Sequence, residues 1–284
     1  MIANVTIFRG VRMESATEIT VILLIILYYL CLKPGKLRKD KIKPFMNLLV
    51  AHRGFFDNDG DAPENSLKAF QRAVERGYGI ELDVQLTKDK KLVVFHDDTL
   101  ERMCGIKRKV SDFTFSELKK IKLMNSEETI PLFSDVLKVI DGKVPLVVEV
   151  KARNHSIETV KKMTEIIKGY KGVYCMESFS PKVVLWFRIH CPEIVRGQLT
   201  PGYNKKRGVF SLMVQLFLPT LRLNFLTQPD FVAYCHKDAN RISYRIFRKI
   251  FKFCNAGWTI KNEKELQNAR KIFQIFIFDS FEAK

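Results

Sequence analysis

The strongest constraint on this chain is a repeated alternation. Short apolar runs suited to buried strands occur at Leu48–Ala51, Ile80–Val84, Leu92–Phe95, Leu146–Val150, Val173–Met176, Val195–Leu199, Phe231–Tyr234, Gly257–Ile260 and Ile275–Phe278. Amphipathic stretches separate most of them, among them Ser66–Arg76, Phe133–Ile140, Ile157–Lys168 and Pro181–His190. Repeated strand–helix units imply a parallel sheet with helices outside it. Over about 240 residues they predict an α/β fold, a closed (β/α)8 barrel. A doubly wound open sheet is the alternative, but no glycine-rich phosphate loop follows the first run. Nine runs compete for eight places. The short Thr87–Lys91 connection leaves little room for a helix, so Leu92–Phe95 is open to a hairpin reading.

Upstream of the repeats the chain has a different character. Ile19–Leu32 is almost wholly apolar, while Lys33–Pro44 is basic. At ~1.5 Å per residue the apolar run is shorter than the ~30 Å hydrocarbon core of a bilayer. No small-residue cleavage pattern follows it, and the basic cluster comes after the run rather than before it. The expectation is a leader over residues 1–18, an uncleaved transmembrane or anchor helix over 19–32, a basic linker over 33–44 and the barrel domain over 45–284. The positive-inside rule then places that domain on the cytoplasmic side of a cell membrane, single-pass. A start at Met13 would make the leader acidic and strengthen this orientation.

The formal net charge of +17 extends into the body of the chain and suits nucleic acid, anionic lipid or a phosphate substrate. No nucleic-acid-binding module accompanies it, so no nucleic-acid partner is expected. Six scattered cysteines without a CxxC pair argue against a disulfide framework or a zinc knuckle.

The chemistry concentrates at strand ends. Residues two apart on a strand share a face, so Glu81 and Asp83 point together, as do Glu149 and Lys151. Leu48–Ala51 runs into His52-Arg53-Gly54, and Leu92–Phe95 into His96-Asp97. In a barrel such positions meet at one mouth. Converging carboxylates shift upward in pKa unless a cation lies among them. Oxygen ligands without cysteine suit one divalent cation, Mg²⁺ or Ca²⁺, better than zinc. Two histidines beside it suit general acid and base, and Arg53 and Lys151 supply charge for an anionic substrate.

At these residues the chain resembles the glycerophosphodiester phosphodiesterase family, within the phospholipase-C-like phosphodiesterase superfamily, in a membrane-anchored bacterial-type form. The motifs are AHRG (Ala51–Gly54), PENS (Pro63–Ser66), ELDVQLTKD (Glu81–Asp89), VVFHDDTLER (Val93–Arg102), VEVK (Val148–Lys151), ESFSP (Glu177–Pro181) and WTI (Trp258–Ile260). The resemblance implies a (β/α)8 barrel that hydrolyses glycerophosphodiesters to glycerol 3-phosphate and an alcohol with a divalent cation. By motif, Glu81, Asp83 and Glu149 would hold the metal, and His52 and His96 would be the acid–base pair. Arg53 and Lys151 would contact phosphate, Glu64 and Asn65 would line the site, and Phe179 and Trp258 would wall the glycerol side. The nucleophile is either water or a substrate hydroxyl.

The chain departs from the family pattern at Met103-Cys104 and in its FIFDSFEAK ending. The segment Tyr203–Phe225 is long, basic and apolar, and reads either as an outer helix or as a membrane-facing flap. Two rival functions stand beside the lead. One is a related lipid phosphodiesterase, of lysophospholipase D or phospholipase C type, acting on membrane lipid. The other is a noncatalytic membrane-associated binding protein.

Overall fold

A computed structural model of the chain describes residues 16–151, 156–201 and 219–284. Most of the leader and most of Tyr203–Phe225 lie outside the described residues.

Eight parallel strands close into a barrel. They are β1 (Leu48–His52), β2 (Gly79–Leu86), β6 (Leu146–Val150), β7 (Tyr174–Ser178), β8 (Val195–Leu199), β9 (Phe231–Cys235), β10 (Asn255–Ile260) and β11 (Ile275–Phe278), with β1 pairing both β2 and β11. The ninth apolar run, β3 (Leu92–Val94), folds back antiparallel on the end of β2, with Val84 opposite Val94. The hairpin reading is therefore the correct one. Five residues between β2 and β3 can reverse the chain but cannot form a crossover helix.

The strands form because their apolar side chains are covered on both faces. Leu82, Val84, Val148 and Val150 point outward into the layer beneath the helices and are fully buried. Val50, Val147, Val195 and Ile277 pack inside the barrel. The helices follow amphipathic stretches and several carry the expected start signals. Ser66 caps the helix Leu67–Glu75 by accepting from the Ala69 amide, and Asn262 caps Glu263–Arg270 in the same way.

Two features position the ends of the barrel. Residues 95–132 form an insertion with its own core around Phe95, Leu100, Met103, Val110 and Leu123. It includes the small hairpin of β4 (Thr99–Leu100) and β5 (Ile106–Lys109) and meets the C-terminal mouth through His96 and through Arg102, which binds Glu64. At the opposite mouth, Ile42 and Phe45 enter the barrel core from below, 4% and 1% exposed. Arg38 locks this segment in place with bonds to both Asp230 carboxylate oxygens, at 2.6 and 2.5 Å, and to the Ile194 carbonyl.

The N-terminal apolar run forms helix α1 (Ala16–Leu32), 17 residues long. Its last turn is seated: Leu32 is buried, and Tyr29 packs on Phe251 at 5.2 Å. The rest projects into the open, with the large apolar side chains from Ile19 to Leu27 43–62% exposed. No helix among the described residues is long and apolar enough to cross a membrane.

Candidate active site

The C-terminal mouth gathers every residue singled out from the sequence. Parallel register sets the rim: His52 lies opposite Glu81, Asp83 opposite Glu149, and Glu149 opposite Glu177. One oxygen from each of Glu81, Asp83 and Glu149 lies within 4.8 Å of the others, and all three residues are buried. The cavity above them measures about 440 Å³ and is lined by His52, Arg53, Glu81, His96, Phe179 and Trp258, among others. Asp83, Asn65 and Lys151 are buried at its base.

Local sequence explains each placement. At the end of β1 the chain turns sharply through Arg53 (φ +59°) and Gly54 (φ +84°). A Cβ on Gly54 would come within 2.9 Å of the Ala69 backbone, so glycine is required there. The turn aims the Arg53 amide at Glu81, 3.0 Å away, and its guanidinium at Glu64 and Asp83. In PENS, Glu64 accepts from Arg53 and Arg102, Asn65 donates to Asp83 at 2.9 Å, and Ser66 caps the helix. Gln85 pins the segment after β3 by donating to the carbonyls of Phe95 and Asp97, which sets His96 on the rim.

Each histidine is held by a carboxylate. His52 Nδ1 lies 2.7 Å from Asp279 Oδ1, and His96 Nδ1 lies 2.6 Å from Asp97 Oδ1. An ionised carboxylate only accepts, so Nδ1 carries the proton and Nε2 is the atom that exchanges protons. Burial, then the neighbouring Arg53, push His52 below its ordinary value, against the pull of Asp279. Burial likewise lowers His96, opposed by Asp83.

The acids divide by neighbourhood. Burial, with Asp83, Glu149 and Glu177 nearby, pushes Glu81 well above the usual carboxylate range. Burial, reinforced by Glu149, does the same to Glu177. Asp83 goes the other way, because Lys151, His96 and Arg53 outweigh its burial. Lys151 bridges Asp83 and Glu149 at 2.7 and 2.8 Å. Four buried carboxylates, Glu81, Asp83, Glu149 and Glu177, thus face the buried Lys151 and the partly exposed Arg53. With all four ionised the cluster would lack about two positive charges, and Glu177 Oε2 has no hydrogen-bond partner among the described residues. An all-oxygen donor set with this charge deficit fits a divalent cation of the Mg²⁺ or Ca²⁺ class.

Sequence reasoning missed three contributors. Glu177 sits inside the ESFSP motif, two residues before Phe179, and its place on a strand was the available signal. Asp279 lies 227 residues from His52 and nothing local marks it. Arg102 holds both Glu64 and Asp97, with bonds of 2.6 to 2.8 Å, and so ties the insertion to the rim.

Against the burial that would raise it, Arg102 and Arg53 hold the Glu64 carboxyl down to about 2, from 4.5. A folded-state value below the unfolded one adds stability that is complete above about pH 4.5 and fades as pH falls toward 2. At ~1.4 kcal/mol per unit this approaches about 3 kcal/mol. Melting temperature followed from pH 6 to 2 is expected to fall less steeply in Glu64→Gln than in the parent. Parallel curves would show that Glu64 carries no such linkage.

Comparison with known proteins agrees with the geometry. The model of the Glycerophosphoryl diester phosphodiesterase family matches residues 52–224. The glycerophosphodiester phosphodiesterase-type protein YhdW of Bacillus subtilis is 30% identical over 229 residues, 76% of this chain and 87% of that one. A Bacillus altitudinis glycerophosphodiester phosphodiesterase is 41% identical over 116 residues, although this stretch spans only 38% of this chain and 46% of that protein. In structure, an Oleispira antarctica phosphodiesterase solved with its product sn-glycerol-3-phosphate superposes with a TM-score of 0.67 at 23% identity, over 83% of this chain and 94% of that one. That likeness concerns the fold. The family match covers more than half of the chain and includes the histidine, carboxylate and lysine positions of the mouth: this chain belongs to the glycerophosphoryl diester phosphodiesterase family.

Proposed function

We propose that the chain hydrolyses glycerophosphodiesters to glycerol 3-phosphate and an alcohol. The observation that carries this reading is the pairing of two carboxylate-oriented histidines with a buried, cation-deficient carboxylate cluster at one mouth. Glu81, Asp83 and Glu149 would hold one Mg²⁺ or Ca²⁺ ion, with Glu177 beside them. When bound, such an ion polarises a non-bridging phosphoryl oxygen and offsets the charge that develops there.

The chain's own residues supply the rest. Arg53 and Lys151 attract the phosphate and fix its orientation. One histidine Nε2 takes the proton from the attacking water or substrate hydroxyl, and the other donates a proton to the departing alcohol. Asp279 and Asp97 hold the rings in the required tautomer and stabilise whichever becomes cationic. Phe179 and Trp258, edge to face at 5.8 Å, give the glycerol carbons an apolar wall. Helix α1, apolar and exposed, would hold the barrel at the cytoplasmic face of a cell membrane.

A product-resolved assay on a panel of glycerophosphodiesters tests the reaction. Glycerol 3-phosphate is the expected common product, and its absence across the panel would remove the proposal. The rival reading, a lipid phosphodiesterase acting on membrane lipid, is favoured by the exposed apolar α1. Faster turnover of lysophospholipid than of glycerophosphocholine would favour it.

Asp279→Asn isolates the positioning of His52. Losing one charge-assisted hydrogen bond costs about 1.5–3 kcal/mol. A fall in kcat of roughly ten- to hundredfold is expected, with KM little changed and the pH–rate profile displaced. An unaltered profile would mean that Asp279 does not set the proton-transfer role of His52.

A further inference from the structure

A second cavity, about 650 Å³, opens at the N-terminal mouth, the end of the barrel opposite the catalytic carboxylates. Its floor is apolar, formed by Ile42, Phe253 and Ile272, and its rim carries Lys39, Lys43, Lys249 and Lys252. All four lysines are exposed, and none has an ion-pair partner among the described residues. Arg248 adds a fifth cation to the lining, and Asp40 is its acid. Exposed lysines around an apolar floor are not required by the barrel core, which is already closed from below by Ile42 and Phe45.

The root of α1 lies at this same end. Its Leu32 carbonyl accepts from Asn224, Gly35 packs on the Gln228 backbone, and Tyr29 rests on Phe251 at the end of the helix Ile242–Phe251. Arg38 then binds Asp230 and Ile194, the residues that lead into β9 and β8. Met46 and Ile250 are also exposed here, 40% and 47%.

We infer that the N-terminal mouth is a docking surface for a bilayer rich in anionic phospholipid. Phosphate headgroups would occupy the lysine rim, and α1 would enter the lipid beside it. An exposed apolar helix flanked by exposed lysines matches the interfacial pattern of hydrocarbon below and anionic headgroups above. The catalytic cavity at the other end of the barrel would then open away from the bilayer, toward water-soluble diesters. This orientation rests on reading α1 as a membrane segment, whereas the lipid binding itself is independent of the proposed hydrolysis.

The test is partitioning of the full-length chain onto phosphatidylcholine vesicles with and without phosphatidylglycerol, at low salt. Tighter binding to the anionic vesicles is expected, by about fivefold for each lysine that reaches the surface. Replacing Lys39, Lys43, Lys249 and Lys252 together by glutamine should cut this preference by the factor those four contribute, about fivefold for each that reaches the surface, with binding to pure phosphatidylcholine and turnover of soluble diesters unchanged. A preference undiminished in the quadruple variant would overturn the docking surface. Absence of binding to either vesicle would overturn the reading of α1 and the proposal with it. Millimolar inorganic phosphate at constant ionic strength should not compete; competition would make the cavity a free-phosphate site instead. Orientation is read separately. With Trp186→Phe, Trp258 at the catalytic mouth is the sole tryptophan, and brominated lipid should leave its fluorescence unquenched. Quenching would place the catalytic mouth on the bilayer and overturn the orientation.

Discussion

Alanine at His52 or His96 is expected to lower kcat on glycerophosphodiesters by roughly 10²- to 10⁴-fold, the range typical of lost general acid–base catalysis. The two losses should not be equivalent in detail. His52 answers to Asp279 and Glu81, at 2.7 and 3.9 Å, whereas His96 answers to Asp97 and Asp83. Removing His52 leaves the Asp279 carboxylate without its ring partner but near Lys261. Removing His96 leaves Asp97 still bound to Arg102. Folding should therefore survive either change, and an unchanged melting curve beside the lost rate is part of the expected result. Both rings are held below their ordinary value, so the limb of the pH–rate profile due to the base should lie on the acid side of neutrality. Rates rise as that base deprotonates. Substituting a leaving group that needs no protonation, such as a nitrophenol, should rescue only the variant that lacks the acid. Rescue of both or of neither would refute the division of labour between the two histidines.

Removal of divalent cations is expected to abolish turnover, and restoring Mg²⁺ or Ca²⁺ should recover it. A readout that does not depend on activity follows from the charge balance. Glu81 and Glu177 are raised well above the usual carboxylate range because burial and like-charged neighbours disfavour their ionised forms. A cation that neutralises them binds the folded chain alone, because the carboxylates are scattered in the unfolded one. At about a hundredfold excess over its dissociation constant it would add about 2.7 kcal/mol of stability. The melting temperature should rise with added ion in the parent and much less in Asp83→Asn. Binding should also release protons from Glu81 and Glu177, which calorimetry in buffers of different ionisation enthalpy would detect. Full turnover in excess chelator, with a flat melting temperature, would remove the metal from the proposed reaction.

The legible part of the site was the part encoded within single strands. Glu81 with Asp83, and Glu149 with Lys151, share faces because the side-chain period of a strand is two, and that rule needs no tertiary information. The turns after β1 and β3 announced His52, Arg53 and His96, because polar residues ending an apolar run belong at a strand terminus. The strand ranges read from the sequence match the barrel strands to within a few residues, since buried parallel strands are continuous apolar runs. Less legible was the Leu92–Val94 run, which has the same composition as a barrel strand. Its antiparallel direction depends only on the length of the preceding connection. The insertion over residues 95–132 was also illegible as a unit, because its apolar residues are spread over short elements with no common period.

The sequence by itself determined the local alphabet of this protein: nine apolar runs alternating with helix patterns, which of them end in acid, base and cation, and where an apolar N-terminal segment lies. Tertiary structure decided which of these groups meet. It set Asp279 on His52 across 227 residues, placed Glu177 beside Glu149, and ran Arg102 from the insertion onto Glu64. It also folded the basic segment after α1 under the barrel, where Ile42 and Phe45 close the core and the lysine rim collects at the end away from the catalytic mouth. The physical reason is range. Side-chain periodicity and capping act over a few residues, whereas barrel closure brings together residues whose separation along the chain leaves no trace in any local pattern.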